Sequence, residues 1–321
     1  MATCGRPRAT ALLVGIVGLA CAMPLANQET SQEPQAGPRP LRAMTYNIHH
    51  GTGNDDCTPP PVTRPPATEC AFDLDRIAQV IREQAPDIVG LQEVDRFWGR
   101  SGYTDQPALL AEALGMFPCY GANLNHNPDS HANVPHQYGT LILSRFDILE
   151  CRNTFLPSTR PATDTSPAVN REQRGLLEVL VNARGVPLRF YNTHYEHTTA
   201  FTDVRTAQIN ATIELIGAFE EDTVLAGDLN ARPTAAEMQP LFAVFRDAWV
   251  VANPGAPGYT ISADPTVEPT RRIDYLLLSP HVSVAGATVP ISPLTRLASD
   301  HYPVVADLSL PGAHVGIGRK R

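Results

Sequence analysis

The sequence is short of basic side chains and has no cysteine pair at the spacing of a zinc site. Its 321 residues include 25 Lys and Arg against 33 Asp and Glu, for a formal net charge of −8. Residues 41–310 contain no cluster of Lys and Arg. This argues against a broad basic face for nucleic acid, although bound divalent cations would reverse the local charge. No two cysteines have a C-x-x-C spacing, so zinc is not expected.

The sequence also lacks an internal repeat and an obvious linker after residue 40. We therefore expect one domain over residues 41–310. Residues 23–40 are largely polar and rich in proline, which predicts a disordered leader, and residues 311–321 are expected to be a flexible tail. Nothing in the sequence implies a stable protein partner, and we expect a monomer.

The apolar run near the N-terminus is too short for a comfortable membrane span. It follows Arg6 and Arg8, and Ala20-Cys21-Ala22 fits a small-x-small cleavage site. This pattern predicts a signal peptide over residues 1–22 and export to the periplasm or the medium. The run also resembles a lipoprotein box, with the poor residue Gly18 at its first position, so a lipid anchor on Cys21 is the alternative.

Export changes the interpretation of the remaining four cysteines, because disulfides persist in oxidising compartments. Cys57 and Cys70 bracket a proline-rich segment, and their pairing would close a surface loop. Cys119 and Cys151 would then form the second pair. Free buried thiols are the alternative.

Eight short apolar runs have the length and composition of β-strands. Three helices are predicted over residues 73–84, 107–114 and 204–219, the first with Asp73 as its N-cap. Many strands with few helices predict an α/β protein in which two sheets pack together with helices outside. The strand candidates are LRAMTYNI, DIVGLQEV, GTLILS, LLEVLV, LRFYNT, TVLAGDL, IDYLLLS and VVADLSL.

Several of these runs begin or end at a polar residue that a strand does not require. Six such segments together predict a site at one rim of the sheets. The residues concerned are Asn47, Glu93, His194, Asp228, Asn230, Asp274, Asp300 and His301.

The acids and the first amide of this set suit a hard cation. The oxygens of Glu93, Asp300 and Asn47, completed by water, are ligands for Mg²⁺ or Mn²⁺ rather than Zn²⁺. Such a cation stabilises charge on a phosphoryl oxygen. The sequence therefore predicts a metal site at Asn47, Glu93 and Asp300.

The remaining residues of the set are predicted to be catalytic. His194 and His301 are suited to proton transfer near neutral pH. Asp274 is predicted to hold a histidine in one tautomer. Asp228 is predicted to activate water, and Asn230 to donate a hydrogen bond to the phosphate.

The order of the motifs resembles that of the endonuclease/exonuclease/phosphatase superfamily, and the resemblance covers roughly residues 41–310. It implies a four-layer α/β/β/α sandwich of two packed mixed β-sheets, and metal-dependent hydrolysis of phosphoesters. It also implies the metal and catalytic roles given above, position by position. It leaves open whether one or two metals act and which group activates water. The motifs are TYNIHHG, PDIVGLQEVDR, YGTLILSR, NTHYEH, GDLNARP, RRIDYLLLS and SDHYPVVADL.

Other polar residues are weaker candidates. Arg174 precedes a strand and is predicted to reach a phosphate, with an ordinary surface arginine as the alternative. Tyr138 is predicted to line the pocket, with a packing role alone as the alternative. Arg205 and Gln208 lie on the third helix and are predicted to brace the NTHYEH segment. The histidine-rich segment 123–137 is expected to be a solvated loop that carries His126, His131 and His136, with a substrate wall or a second metal site as alternatives.

The substrate remains open between a small phosphodiester, nucleic acid, a phosphomonoester and a phospholipid. Our first prediction is a secreted phosphodiesterase, followed by a secreted endonuclease and then a sphingomyelinase-like enzyme. No apolar hairpin or basic cluster favours a membrane or a polyphosphorylated headgroup. A catalytically inactive binding module is the alternative from a different class, and it would be expected to lack at least one of the site residues.

Overall fold

The computed structural model describes residues 37–54, 72–128, 133–160 and 169–311. The predicted signal peptide, most of the predicted leader, the Cys57–Cys70 pair and His131 lie outside these ranges. No helix among the described residues is long and apolar enough to cross a membrane.

Two six-stranded sheets form the centre of the domain, and a two-stranded ribbon lies beside them. The first sheet has the order β13-β14-β1-β2-β4-β3, and the second has the order β11-β12-β10-β9-β8-β5. Both are mixed, because β1 and β2 are parallel, as are β9 and β10, while all other neighbours are antiparallel. The strands are β1 Arg39–Asn47, β2 Ile88–Arg96, β3 Phe117–His126, β4 His136–Ser144, β5 Ile148–Phe155, β6 Thr159–Arg160, β7 Val169–Asn170, β8 Gly175–Ala183, β9 Val186–His194, β10 Asp222–Asp228, β11 Arg246–Asp247, β12 Asp274–Leu278, β13 Ser283–Thr288 and β14 Val304–Leu310.

Five of the six described helices cover the outer faces of the two sheets, and the short α5 packs against the cluster that lies between the sheets. They are α1 Leu74–Gln84, α2 Gln106–Leu114, α3 Thr202–Ile216, α4 Gln239–Val244, α5 Ala248–Ala252 and α6 Pro293–Ala298. Apolar residues of α1, α2 and α6 pack on the first sheet, and those of α3 and α4 pack on the second. A third buried cluster, which includes Ile88, Ile142, Phe190 and Leu276, lies between the sheets. Since three cores separate four layers, the predicted α/β/β/α sandwich is confirmed.

The first two helices confirm their predicted boundaries to within a residue. The Asp73 carboxylate accepts a hydrogen bond from the backbone N–H of Arg76 and caps α1. Gly115 ends α2 with a positive φ of 61°. The third prediction extended too far, because Gly217 adopts a φ of 62° and ends α3 at Ile216.

All eight strand candidates are strands, but the predicted loop 123–137 is wrong at both ends. Residues 123–126 belong to β3, and His136 and Gln137 begin β4. His136 is buried rather than solvated, whereas His126 is exposed. The sequence did not predict this hairpin because its residues are polar, and polar residues are tolerated in an edge strand such as β3.

The predicted Cys119–Cys151 disulfide is confirmed, with its Cα atoms 5.9 Å apart. Cys119 lies on β3, at the edge of the first sheet, and Cys151 lies on β5, at the edge of the second. The bond therefore joins the two sheets covalently along one side of the sandwich.

Candidate active site

Strand register in the second sheet places three of the predicted catalytic residues side by side. Asp228, the last residue of β10, is paired with His194 at the end of β9 and with Asp274 at the start of β12. The backbone N–H of Asn230 donates to Asp228 Oδ1 at 3.0 Å, in a turn where Asn230 has a φ of 50°. These residues form one face of the candidate site.

The first sheet supplies the opposing face through a β-bulge. Asn47 ends β1 beside Gln92, and the pairing of β2 with β4 slips between Leu91 and Val94. Glu93 lies in this bulge with a φ of 59°, in the left-handed region that non-glycine residues rarely adopt. Glu93 lines the same cavity as His194 and Asp228 of the second sheet. Strained backbone of this kind is typical of functional sites.

The amide of Asn47 bridges the acids of the two sheets. Its Nδ2 donates to Glu93 Oε1 at 3.0 Å and to Asp228 Oδ2 at 3.1 Å, while its Oδ1 accepts from the backbone N–H of His49. In this orientation the Asn47 amide nitrogen, rather than its oxygen, faces the two carboxylates. His50 Nε2 lies 3.1 Å from Glu93 Oε2 on the other side.

His301 is held by the acid that was predicted to orient it. His301 Nδ1 lies 2.9 Å from Asp274 Oδ2, which also accepts a 2.6 Å hydrogen bond from Thr260 Oγ1. With its proton on Nδ1, the imidazole presents Nε2 to Asp228, whose Oδ2 is 3.7 Å away. His194 Nε2 lies 3.5 Å from the same Asp228 oxygen. Asp228 is therefore flanked by two histidines.

The protonation of the two histidines differs because their neighbours differ. Burial alone would lower the pKa of His301, but the carboxylates of Asp274, Asp228 and Asp300 raise it well above its usual value. Burial and the Arg174 guanidinium lower the pKa of His194 well below its usual value. At neutral pH His301 is thus the charged donor and His194 the neutral imidazole.

Burial raises the pKa of Asp228 above the usual range, and the nearby carboxylate of Asp274 adds to this effect. The carboxyl groups of Asp228 and Asp274 and the His301 imidazole place potential ligand atoms within 4.8 Å of one another. Carboxylates this close repel one another, and a divalent cation would relieve the repulsion. The donor set of the site, carboxylate oxygens with imidazole nitrogens, therefore fits a divalent metal ion.

The predicted metal ligands are not all in direct contact. Asn47 and Glu93 are hydrogen-bonded to each other. Asp300 is partly exposed, and its carboxylate accepts a 3.4 Å hydrogen bond from Ser299 Oγ. In the described part of the chain, no hydrogen bond joins Asp300 to Asn47 or Glu93.

Arg174 and Tyr138, the two predicted substrate-binding residues, both line the cavity above these groups. The cavity has a volume of about 360 Å³. Arg174 is 2% exposed, and its guanidinium lies 3.0 Å from Glu172 Oε1 and 3.3 Å from His197 Nδ1. Burial and the Glu93 carboxylate raise the pKa of Tyr138 well above its usual value, so its phenol stays protonated.

The predicted brace behind the NTHYEH segment is also present. Gln208 Oε1 accepts a hydrogen bond from the backbone N–H of Glu196, and Arg205 Nη1 donates to the Glu196 carbonyl. The side-chain amide of Asn230 also holds the NTHYEH segment, because its Nδ2 donates to the Tyr195 carbonyl at 3.1 Å.

Several residues of the site were not predicted from the sequence, and four of them contact its acids or line its cavity. His50 and Thr260 contact Glu93 and Asp274, and Trp98 and Arg100 line the cavity. His50 belongs to the TYNIHHG motif, and a polar residue three positions after Asn47 is a usable signal in the sequence. Thr260 lies in an irregular segment 14 residues before Asp274, so only the tertiary structure reveals it.

Solved structures with the same fold come from several organisms. An endonuclease/exonuclease/phosphatase from Beutenbergia cavernae is 31% identical to this chain, with a TM-score of 0.64 over 87% of this chain and 73% of that one. The mannosyl-6-phosphatase of Bacteroides thetaiotaomicron is 21% identical, with a TM-score of 0.57 over 84% of this chain and 99% of that one. The catalytic domain of human Nocturnin with bound sulfate is 20% identical, with a TM-score of 0.58 over 84% and 94%. The last two likenesses concern the fold alone.

Among curated proteins, protein cwh43 of Schizosaccharomyces pombe is 31% identical over 113 residues, which is 34% of this chain and 10% of cwh43. This chain therefore spans a small part of that relative. The family match is much broader and extends over residues 44–301, which include every residue of the candidate site. The chain belongs to the endonuclease/exonuclease/phosphatase family, whose members are hydrolases that act on phosphoester bonds.

Proposed function

We propose that this protein is a phosphodiesterase that requires Mg²⁺ or Mn²⁺. One observation carries the proposal. Glu93, Asp228, His194, His301 and Arg174 come from different strands and segments, yet all line a single cavity. Acids, a charged imidazole and a guanidinium in one cavity are the groups that phosphoester hydrolysis needs for a cation, a proton and the phosphate oxygens.

The metal would be held by Glu93, with Asp300 and Asn47 as the further proposed ligands. Asn47 would serve as a ligand after its amide turns, so that its oxygen rather than its nitrogen faces Glu93. When bound, such an ion withdraws charge from a phosphoryl oxygen and stabilises the charge that develops during hydrolysis. Glu93 is suited to this role because the β-bulge and the hydrogen bond from Asn47 fix its carboxylate at the cavity.

The protein's own groups supply the proton transfers. Asp228 is proposed to accept a proton from the attacking water, because its raised pKa makes it a stronger base than an ordinary carboxylate. His301 is proposed to donate a hydrogen bond from Nε2 to a phosphoryl oxygen while Asp274 holds Nδ1. Asn230 and Arg174 are proposed to hold the other phosphate oxygens.

The charge balance of the cavity favours a diester over a monoester. Arg174 already lies beside Glu172, and Arg100 is hydrogen-bonded to Asp95 through two nitrogens. Apart from the proposed cation and the His301 imidazole, few positive charges are left to balance a substrate once these pairs are counted. A diester phosphate carries one negative charge near neutral pH, whereas a monoester carries nearly two, so the diester requires less compensation.

Export and a monomeric state remain proposals that rest on the sequence. Export is supported by the signal-like segment 1–22 and by the disulfide between Cys119 and Cys151, since such bonds persist outside the cytosol. Lipid attachment at Cys21 is the alternative to cleavage.

The proposal is tested by hydrolysis with the purified protein across a small panel, with Mg²⁺ or Mn²⁺ and with EDTA. The panel holds an aryl phosphodiester, an aryl phosphomonoester, duplex DNA, RNA and sphingomyelin. We expect EDTA-sensitive cleavage with the small diester preferred over the monoester. Cleavage of nucleic acid far above the diester would make the protein a nuclease, and cleavage of sphingomyelin alone would make it a lipid phosphodiesterase.

A further inference from the structure

Trp98, Arg100 and Tyr138 form one side of the cavity, and the catalytic chemistry described above does not use Trp98 or Arg100. We name these three residues the aromatic wall. Trp98 and Arg100 come from the turn after β2, five and seven residues beyond Glu93, and Tyr138 comes from β4. The aromatic wall therefore lines the same cavity as the proposed metal ligand Glu93.

The side chains of the aromatic wall are held in place by contacts with one another and with neighbouring residues. The Arg100 guanidinium lies 5.1 Å from the centre of the Trp98 ring and 5.3 Å from that of Tyr138. It donates to both oxygens of Asp95, at 2.7 and 2.8 Å, and Asp95 is fully buried. The Trp98 ring also packs against His126 and His136, with centroid distances of 5.3 and 5.7 Å. These contacts fix the orientation of the indole before a ligand arrives.

The charge of Arg100 is offset by the carboxylate that it contacts. Asp95 takes the Nε and Nη2 donors of Arg100, and the guanidinium lies over the Trp98 and Tyr138 rings. This side of the cavity therefore offers the parts of the two rings that Arg100 does not cover, rather than a second cationic site for phosphate. A ring that carries no charge is the ligand group that such faces bind, by stacking or by contact with its C–H bonds.

We propose that the aromatic wall binds an uncharged ring attached to the ester phosphate, as in a sugar or a nucleoside. This proposal rests on the proposed function, because it assumes that the phosphate lies at Arg174 and His301. The ring would lie against Trp98, and the volume of about 360 Å³ is suited to a small phosphoester rather than to a polymer.

The test is calorimetric binding of two ligands with the same single charge, with Mg²⁺ present. Monomethyl phenylphosphonate carries a ring, and monomethyl methylphosphonate does not. We expect the ring-bearing ligand to bind wild-type protein about tenfold more tightly, and we expect Trp98→Ala to remove this preference. Trp98→Phe should keep most of it, which separates loss of the ring from misfolding. Phe117→Ala, which removes an exposed aromatic ring outside the cavity, is the matched control and should keep the full preference.

Equal binding of the two ligands, or binding of neither, would overturn the proposal, as would a full preference in Trp98→Ala. Methyl esters of glucose 6-phosphate and of a nucleoside 5′-monophosphate then identify the ring as sugar or base. If neither binds better than the ring-free ligand, the proposal also fails. Binding is measured apart from hydrolysis, so an active enzyme without the preference refutes the aromatic wall alone. A protein that prefers the ring but cleaves no phosphoester refutes the proposed function alone.

Discussion

At the site, the charge of a neighbouring residue sets the protonation state of a side chain. The pair of His301 and Asp274 is the clearest case. Asp274 fixes the imidazole through Nδ1 and helps to raise the pKa of His301 well above its usual value. His301 therefore keeps its proton to a higher pH than an ordinary histidine does. If the protonated form is needed, activity falls as pH rises through that pKa.

Asp274→Asn should lower kcat/KM roughly tenfold or more and move the alkaline limb of the pH profile to lower pH. The sign follows from the charge, because removal of the carboxylate lowers the pKa of His301 and the protonated form is lost earlier. The measurement is kcat/KM against pH. Asp307→Asn changes an exposed acid paired with Arg42 and should leave the profile unchanged. An unshifted alkaline limb in Asp274→Asn would count against this role.

The two sheets meet through a buried pair of amides directly beneath the site. Gln92 Nε2 donates to Asn192 Oδ1 at 2.7 Å, and Asn192 Nδ2 donates to the carbonyls of Leu91 and Leu141. Strand β2 has room for the Asn192 side chain only because residue 90 is glycine. A Cβ at Gly90 would lie 2.8 Å from Asn192 Cγ. This pair joins β2, which carries Glu93, to β9, which carries His194.

Asn192→Ala should destabilise the protein by about 2–4 kcal/mol, because it opens a cavity and leaves buried polar groups without partners. Urea unfolding of the two proteins gives the difference in the free energy of unfolding. Asn210→Ala, at an exposed position of α3, is the matched control and should change it by less than about 0.5 kcal/mol. Equal stability of Asn192→Ala and wild type would show that the amide pair does not hold the sheets together.

The link between β3 and β5 gives a second test of how the sheets are joined. The disulfide spans 32 residues of sequence, for which the chain-entropy model gives about 3–4 kcal/mol. Replacement of both cysteines by serine should lower the melting temperature. Reductant should lower that of wild type by more than that of the double variant, which keeps only the predicted Cys57–Cys70 pair. A melting temperature of wild type that is insensitive to full reduction would contradict this role.

The sequence specified the interior strands well and the edges poorly. The eight predicted strands are buried on both faces, so their near-continuous apolar runs identify them. The edge strands β3 and β5 were missed because polar residues interrupt their patterns, and α4, α5 and α6 are too short for helical periodicity to be visible. The strand-end residues could be named from the motifs. Contacts such as Gln92 with Asn192, or Arg100 with Asp95, depend on the tertiary structure.

Across the molecule, the site concentrates buried negative charge between the two sheets. Asp228 and Asp274 lie together beside His301, and the proposed ligand Glu93 faces them through Asn47. A cation that binds only the folded state stabilises it by mass action, by about 2.7 kcal/mol when its concentration is a hundredfold above Kd. Saturating Mg²⁺ or Mn²⁺ should therefore raise the melting temperature by several degrees, and EDTA should reverse the change. Glu93→Gln should weaken the response, and an equal response in this variant would contradict the ligand assignment.

The most direct test of the central claim compares three rates of hydrolysis of an aryl phosphodiester. They are the rates of wild-type protein with Mg²⁺ or Mn²⁺, of the same protein with EDTA, and of His301→Ala with metal. His281→Ala, at an exposed position, serves as the control. The account predicts turnover by wild type and the control, and loss of most activity with EDTA and in His301→Ala. Full activity in His301→Ala, or no metal-dependent turnover of any phosphoester by wild type, would contradict it.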